Sequence, residues 1–208
     1  MKFSVRKNGT FTLEDIKGVK DIKFSNLAGA HTNSRYDDPN KDPQRAITIW
    51  FDEDDIAKGL KENNFLVGRA VDNYHKDKSG NPLGERYFIK FVAYIDMMRD
   101  DKGVSHGKRL YRRFNRHTGK EEVSPKIVVK TDEKTEILEP DEFYTVDVAH
   151  IDTMDIRFRG FEYDSHKPFV AAINELWWKP DVSAGGRNDF EDDALEQKWA
   201  NVPLSDEE

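Results

Sequence analysis

The sequence predicts a mainly β fold, a small barrel or sandwich with one or two short helices and a coreless acidic tail. Three observations carry this. Short runs of β-branched and aromatic residues recur between turn signals as far as Trp178. Two short stretches, after Asp52 and after Pro140, carry helix signals. Beyond Lys179-Pro180 the hydrophobic pattern stops. The order of many strands with few helices argues against a helical bundle or a doubly wound sheet. The expected organisation is one domain over 1–179 and a flexible tail over 180–208, opened by the linker-like Ser183-Ala184-Gly185-Gly186.

Taken in order, Phe3 to Leu13 alternates around Asn8-Gly9, a hairpin signal. Lys20 to Ser25 reads as a short strand, and His31 to Arg45, with two Asp-Pro pairs, as a loop. Ala46 to Phe51 is a clear strand. Asp52 is expected to cap a short helix, with Glu53, Asp54 and Asp55 in its first turn, at the positive end of the dipole. Phe65 to Val71 returns as a strand and Asp72 to Glu85 reads as a hydrophilic loop. Arg86 to Asp96 is the strongest strand signal in the chain. Lys108 to Asn115 and Lys126 to Thr131 are strands around a turn at His117-Thr118-Gly119, and Thr135 to Leu138 is a short strand. Pro140 opens a helix of one or two turns. Met154 to Phe161 and Phe169 to Trp178 complete the set.

The charge is unevenly placed. The chain carries −7 in total, and the segment from Pro180 to Glu208 alone accounts for it, with nine acids against Arg187 and Lys198. The body is therefore neutral. Within it, Gly107 to Lys130 holds eight Lys or Arg against Glu121 and Glu122. Such asymmetry says more about partners than the total does. No run approaches the ~18 apolar residues of a membrane-spanning helix. Met1 to Lys7 lacks the apolar stretch of a secretory leader, and the chain has no cysteine, which excludes disulfides and thiol chemistry and fits a reducing cytoplasm.

Alternation locates the candidate site. In Ala46 to Phe51 the core face is Ile47, Ile49 and Phe51, which leaves Trp50 on the more polar face. In the strand from Arg86, the core face is Tyr87, Ile89, Phe91, Ala93 and Ile95. The opposite face, Arg86, Phe88, Lys90, Val92 and Tyr94, mixes cations with rings. A single strand of nucleic acid offers a π-face at each base and a charge at each phosphate, so this mixture suits it. The second candidate is the run Lys108, Arg109, Tyr111, Arg112, Arg113, Phe114 and Arg116, in which arginines flank two rings. Arginine both forks onto phosphate and stacks on bases. The plainer accounts are a minor core for the rings and a solvated hairpin for the basic run.

Catalytic readings find little support. The six histidines show no metal-ligand pairing, and there is no phosphate loop, dinucleotide fingerprint or nucleophile elbow. Helix capping accounts for Asp52 to Asp55 without a nuclease. His150 and Asp152 with Asp155 read as a turn entering a strand. No enzyme, metal or cofactor is expected.

The order Ile47-Thr48-Ile49-Trp50-Phe51-Asp52, short helix, Phe65-Leu66-Val67, Tyr87 to Tyr94, Pro125 to Thr131, helix near Asp141 to Val146, Met154 to Arg159 and Ile173 to Trp178 resembles single-stranded DNA-binding proteins of bacteriophages. The resemblance covers roughly 20–180 and lies in element order and residue character. It implies an elaborated OB-fold-like barrel and non-catalytic work in phage DNA replication, recombination or repair, in the cytoplasm of the infected host. Single-stranded DNA is then the ligand, and the acidic tail would recruit replication or recombination proteins. The reading admits a homodimer. The alternative is a phage structural or protein-interaction β module whose rings form a protein interface.

Overall fold

The computed structural model describes residues 1–29, 45–77, 79–93, 97–99, 105–108, 112–115, 119–132, 134–162 and 167–181. The chain opens with the expected hairpin, β1 (Lys2–Val5) antiparallel to β2 (Phe11–Lys17), with Val5 opposite Phe11. Gly9 turns it at φ +72°, a conformation glycine adopts without steric cost. One helical turn, α1 (Gly18–Asp21), and the two-residue β3 (Ile22–Lys23) follow. The strand expected over Lys20 to Ser25 is thus shortened. Asp21 folds back to accept the Lys17 N–H at 3.0 Å, a local bond that competes with a strand ladder.

Strand β4 (Ala46–Phe51) matches its reading and leads into α2 (Asp54–Glu62), which buries Ile56, Ala57 and Leu60. Asp52 is not the cap: Glu53 holds that position, without a side-chain cap bond, while Asp52 pairs with Arg86 and Lys20. Strands β5 (Gly68–Lys76) and β6 (Pro82–Val92) form a long hairpin that takes up most of the expected 72–85 loop. Most of β5 is solvated on both faces, so its sequence needs no alternation and reads as polar loop. Phe65 forms only an isolated bridge to Phe169.

Four short strands follow: β7 (Met97–Arg99), β8 (Ser105–Lys108), β9 (Arg112–Asn115) and β10 (Lys120–Val123), paired as two ribbons. Within the stretch expected as one strand over 108–115, Lys108 ends β8, which pairs with β7, and Arg112 to Asn115 form β9, which pairs with β10 with Asn115 opposite Lys120; 109–111 and most of the expected turn at His117-Thr118-Gly119 lie outside the described residues. Next come β11 (Lys126–Lys130), β12 (Thr135–Ile137), a 3₁₀ turn at Pro140–Glu142 and α3 (Tyr144–Val148). A reciprocal bond between Glu139 and Glu142 caps that turn, and proline occupies its first position, as expected. Strands β13 (Ile151–Phe161) and β14 (Val170–Pro180) close the described chain as an antiparallel pair.

The main sheet runs β1-β2-β13-β14-β6-β4-β3, with β5 on β6, β11 on β14 and β12 on β11. The mainly β class and the short helices agree with the sequence. Among the described residues the sheet stays open, ending at β1 and β3 rather than closing into a ring. The face assignment of β4 and β6 holds: Ile47, Ile49, Phe51, Ile89, Phe91 and Ala93 all enter one core. Phe11, Phe65 and Phe91 surround Phe158 at 4.8–5.6 Å between ring centroids. The opposite face is not bare. Ala46, Trp50 and Val92 are buried there, outside that core.

Candidate nucleic-acid interface

The site begins with a buried charge on this second face. Arg86 is 1% exposed. Its Nε donates to Asp52 Oδ1 at 2.8 Å, Nη1 to Asp72 Oδ2 at 2.9 Å and to the Lys20 carbonyl at 2.8 Å, and Nη2 to Asp21 Oδ1 at 2.9 Å. This corrects the expectation that Arg86 meets DNA. A guanidinium removed from water must be paired, and here three carboxylates and a carbonyl take its donors. Asp72 also accepts the backbone N–H groups of Tyr74 and His75, each at 3.0 Å, and lies 2.7 Å from His75 Nδ1. His75 Nε2 lies 3.1 Å from the Ile22 carbonyl oxygen. Burial pushes the Asp72 carboxyl up, but the hydrogen bonds from His75, Arg86 and Tyr74 outweigh it and hold the group below the usual carboxylate range. Asp52 behaves alike: burial raises it, and Lys20 and Arg86 together bring it lower.

A ladder of rings stands beside this network. The Trp50 ring lies 6.4 Å from that of His75, 5.0 Å from Phe88 and 6.1 Å from Tyr74, and Tyr74 meets Phe24 edge-on at 4.7 Å. Trp50 is only 4% exposed, so it is not open to a base and instead supports Phe88 and Tyr74. That corrects its expected role. Phe88 is half-buried and lies across Gly68, where an added Cβ would fall 2.2 Å from the ring's Cζ. The glycine is required by this close approach.

The outer rungs are open. Tyr74 is 51% and Phe24 54% exposed, large apolar areas that a monomer does not need to show. Neither was singled out from the sequence. Phe24 follows a strand of two residues and Tyr74 stands in the polar run Asp72-Asn73-Tyr74-His75-Lys76, so no alternation marks them. Lysines stand on β3, β5 and β6, the strands that carry or precede the rings of the ladder. Lys23 Nζ is 6.0 Å from the Tyr74 ring centroid, and Lys76 and Lys90 are exposed, Lys90 opposite Thr48 across β4 and β6. Beside the rings runs a groove of about 660 Å³ whose lining includes Lys23, Phe24, Tyr74, Lys76, Asp147 and His150.

Of the remaining expected contacts, Tyr94, Arg109, Tyr111 and Arg116 lie outside the described residues. Lys108, Arg112, Arg113 and Phe114 have their backbone in β8 and β9, and their side chains lie outside the description. Other ring–cation contacts lie elsewhere: Lys61 and Arg69 lie 5.4 and 5.3 Å from the Tyr87 ring, and on β14 and β11 Lys126 Nζ lies 5.6 Å from the Trp177 ring. There Glu175 pairs with both Lys126, at 3.5 Å, and Arg157, at 2.9 Å, which lowers the positive field that a phosphate would meet. Among the described residues no three His, Asp or Glu side chains converge in a metal-holding group.

No protein-family model and no curated protein matches the chain. Solved structures similar to it include the single-stranded DNA-binding protein of bacteriophage Enc34 in complex with single-stranded DNA, 12% identical over 88% of this chain and 93% of that one, with a TM-score of 0.46. Another structure of that protein is 13% identical over 93% of this chain and 99% of its own, with a TM-score of 0.43. The single-stranded DNA-binding protein gp2.5 of bacteriophage T7 is 10% identical over 96% of this chain and 97% of its own, with a TM-score of 0.33.

Proposed function

We propose that this chain binds single-stranded DNA with little sequence preference, without catalysis, through the ladder Phe24–Tyr74–Phe88 and the lysines around it. The observation that carries the reading is the pair of half-exposed rings, Phe24 and Tyr74, held edge-to-face beside a buried tryptophan, with Lys23 Nζ 6.0 Å from the Tyr74 ring. Exposed rings give every base a π-face, and cations between them meet the backbone, so the surface tolerates any sequence. On this reading the protein protects single strands during phage DNA replication, recombination or repair inside the infected host. The basic run over 107–130 supplies further cations for the phosphates. The acidic tail competes for those cations and recruits partner proteins.

The test is a fluorescence titration with a homopolymer oligonucleotide across a salt series. Trp50 lies 6.1 Å from the Tyr74 ring and should report occupancy. Log K should fall with log salt by about 0.7 per phosphate neutralised. Phe24→Ala and Tyr74→Ala should each cost ~1–3 kcal/mol of binding, with the melting temperature unchanged. Normal binding by both variants, or duplex bound as tightly as single strand, would turn the reading toward a protein-interaction module.

A further inference from the structure

We infer that Asp147 is a positioning residue for the stacking ring of Phe24, fixing that ring without contact to the strand. The inference rests on the base-stacking reading above.

Phe24 has φ +57°, a left-handed conformation that residues other than glycine seldom adopt. Such a residue persists where its surroundings fix it. Upstream, the Ile22 carbonyl oxygen is held by His75 Nε2 at 3.1 Å. Downstream, the backbone of Leu27 and Ala28 is accounted for on both sides. Their N–H groups donate to Asp147 Oδ1 and Oδ2, each at 2.8 Å, and their carbonyls accept from Arg45 Nη1. The Ser25 hydroxyl donates to the same Asp147 Oδ1, and the Asn26 N–H reaches the Ala46 carbonyl at 2.9 Å. Leu27 itself is fully buried. One carboxylate therefore takes three donors from the four residues that follow Phe24.

The placement of that carboxylate is telling. Asp147 belongs to α3, about 120 residues away in sequence, and lines the groove with Lys23 and Lys76. A bare carboxylate there would repel phosphate. Its oxygens are instead directed at the loop, so its contribution to binding is geometric and favourable, although its charge is of the unfavourable sign.

A double-mutant cycle on the full chain, read by oligo-dT affinity, separates the two roles. Phe24→Ala should weaken binding about 5- to 140-fold. Asp147→Ala should weaken it about 3- to 10-fold at every salt concentration, with the salt slope unchanged because no phosphate contact is lost. Asp147→Asn, which keeps one acceptor oxygen, should fall between it and the parent. The double variant should bind no more weakly than Phe24→Ala alone, because the carboxylate acts through the ring. Losses that multiply, or tighter binding by Asp147→Ala at low salt, would overturn the inference. Ser25→Ala, which removes one of the three donors and leaves the fold's buried residues intact, should weaken binding in the same direction if Asp147→Ala is too unstable to assay; unchanged affinity there counts against the proposal. Normal binding by Phe24→Ala itself would sink the base-stacking reading instead.

Discussion

Replacing Arg86 with methionine separates the two roles a cation on β6 could have. The guanidinium is fully buried and bonded to Asp21, Asp52 and Asp72, and Asp72 is itself fully buried. Methionine fills similar space and leaves the carboxylates of Asp21 and Asp72 without their cation. Breaking a buried ion pair from one side costs ~3–5 kcal/mol. For a domain of this size each kcal/mol moves the melting temperature by about 2–4 °C, so the expected fall is about 6–20 °C. Urea unfolding followed by tryptophan fluorescence would measure it. On the folded protein at low temperature, the salt slope of DNA binding should match the parent, because no phosphate contact is removed. Lys90→Ala should do the reverse, lowering the slope by about 0.7 while leaving stability within about 0.5 kcal/mol. An Arg86→Met protein of parental stability with a flatter salt slope would refute this account and place the guanidinium on the DNA.

Gly68→Ala should push the Phe88 ring off its seat and cost ~1–3 kcal/mol of stability, seen as a lower urea midpoint and altered Trp50 fluorescence. The depressed carboxyls of Asp72 and Asp52 stabilise the fold fully above the unfolded value of about 3.9, because below it the unfolded chain takes up protons first. Stability should thus decline as pH falls from about 5 and level off once the depressed folded values are passed, and Asp72→Asn should flatten that decline at the expense of lower stability at pH 7. Truncation after Pro180 removes the excess negative charge of the chain. It should tighten single-stranded DNA binding at low salt and do so less as screening rises; unchanged affinity at low ionic strength would exclude competition by the tail.

Where one face of a strand enters a core, the sequence already showed it. Ile47, Ile49 and Phe51 with Ile89 and Phe91 follow the period of two, because burial on one side imposes it. The site was less legible. Arg86 reads as a DNA contact because it alternates with Phe88 and Lys90. The acids that neutralise it stand 65, 34 and 14 residues away, a distance that no local pattern reports. Phe24 and Tyr74 escaped for a related reason. Phe24 follows a two-residue strand and Tyr74 lies on a solvated one, both among polar neighbours, and their meaning comes from packing, Tyr74 on Trp50 and Phe24 on Tyr74. The long polar run over 72–85 likewise forms a hairpin through pairing with β6, not through its own propensity.

The bracing of the 25–28 segment by Asp147 also orders events during synthesis. The carboxylate that completes the loop lies about 120 residues downstream, and β2 takes its second partner from β13, with Thr12 opposite Arg157. At ~5–20 residues per second a ribosome needs roughly 6–24 s to supply the first of these. Until then β2 has only β1 to pair with, and the 25–28 segment after Phe24 lacks its carboxylate brace. A nascent chain that ends before α3 therefore holds the residues of the aromatic ladder without the carboxylate that braces the segment after Phe24.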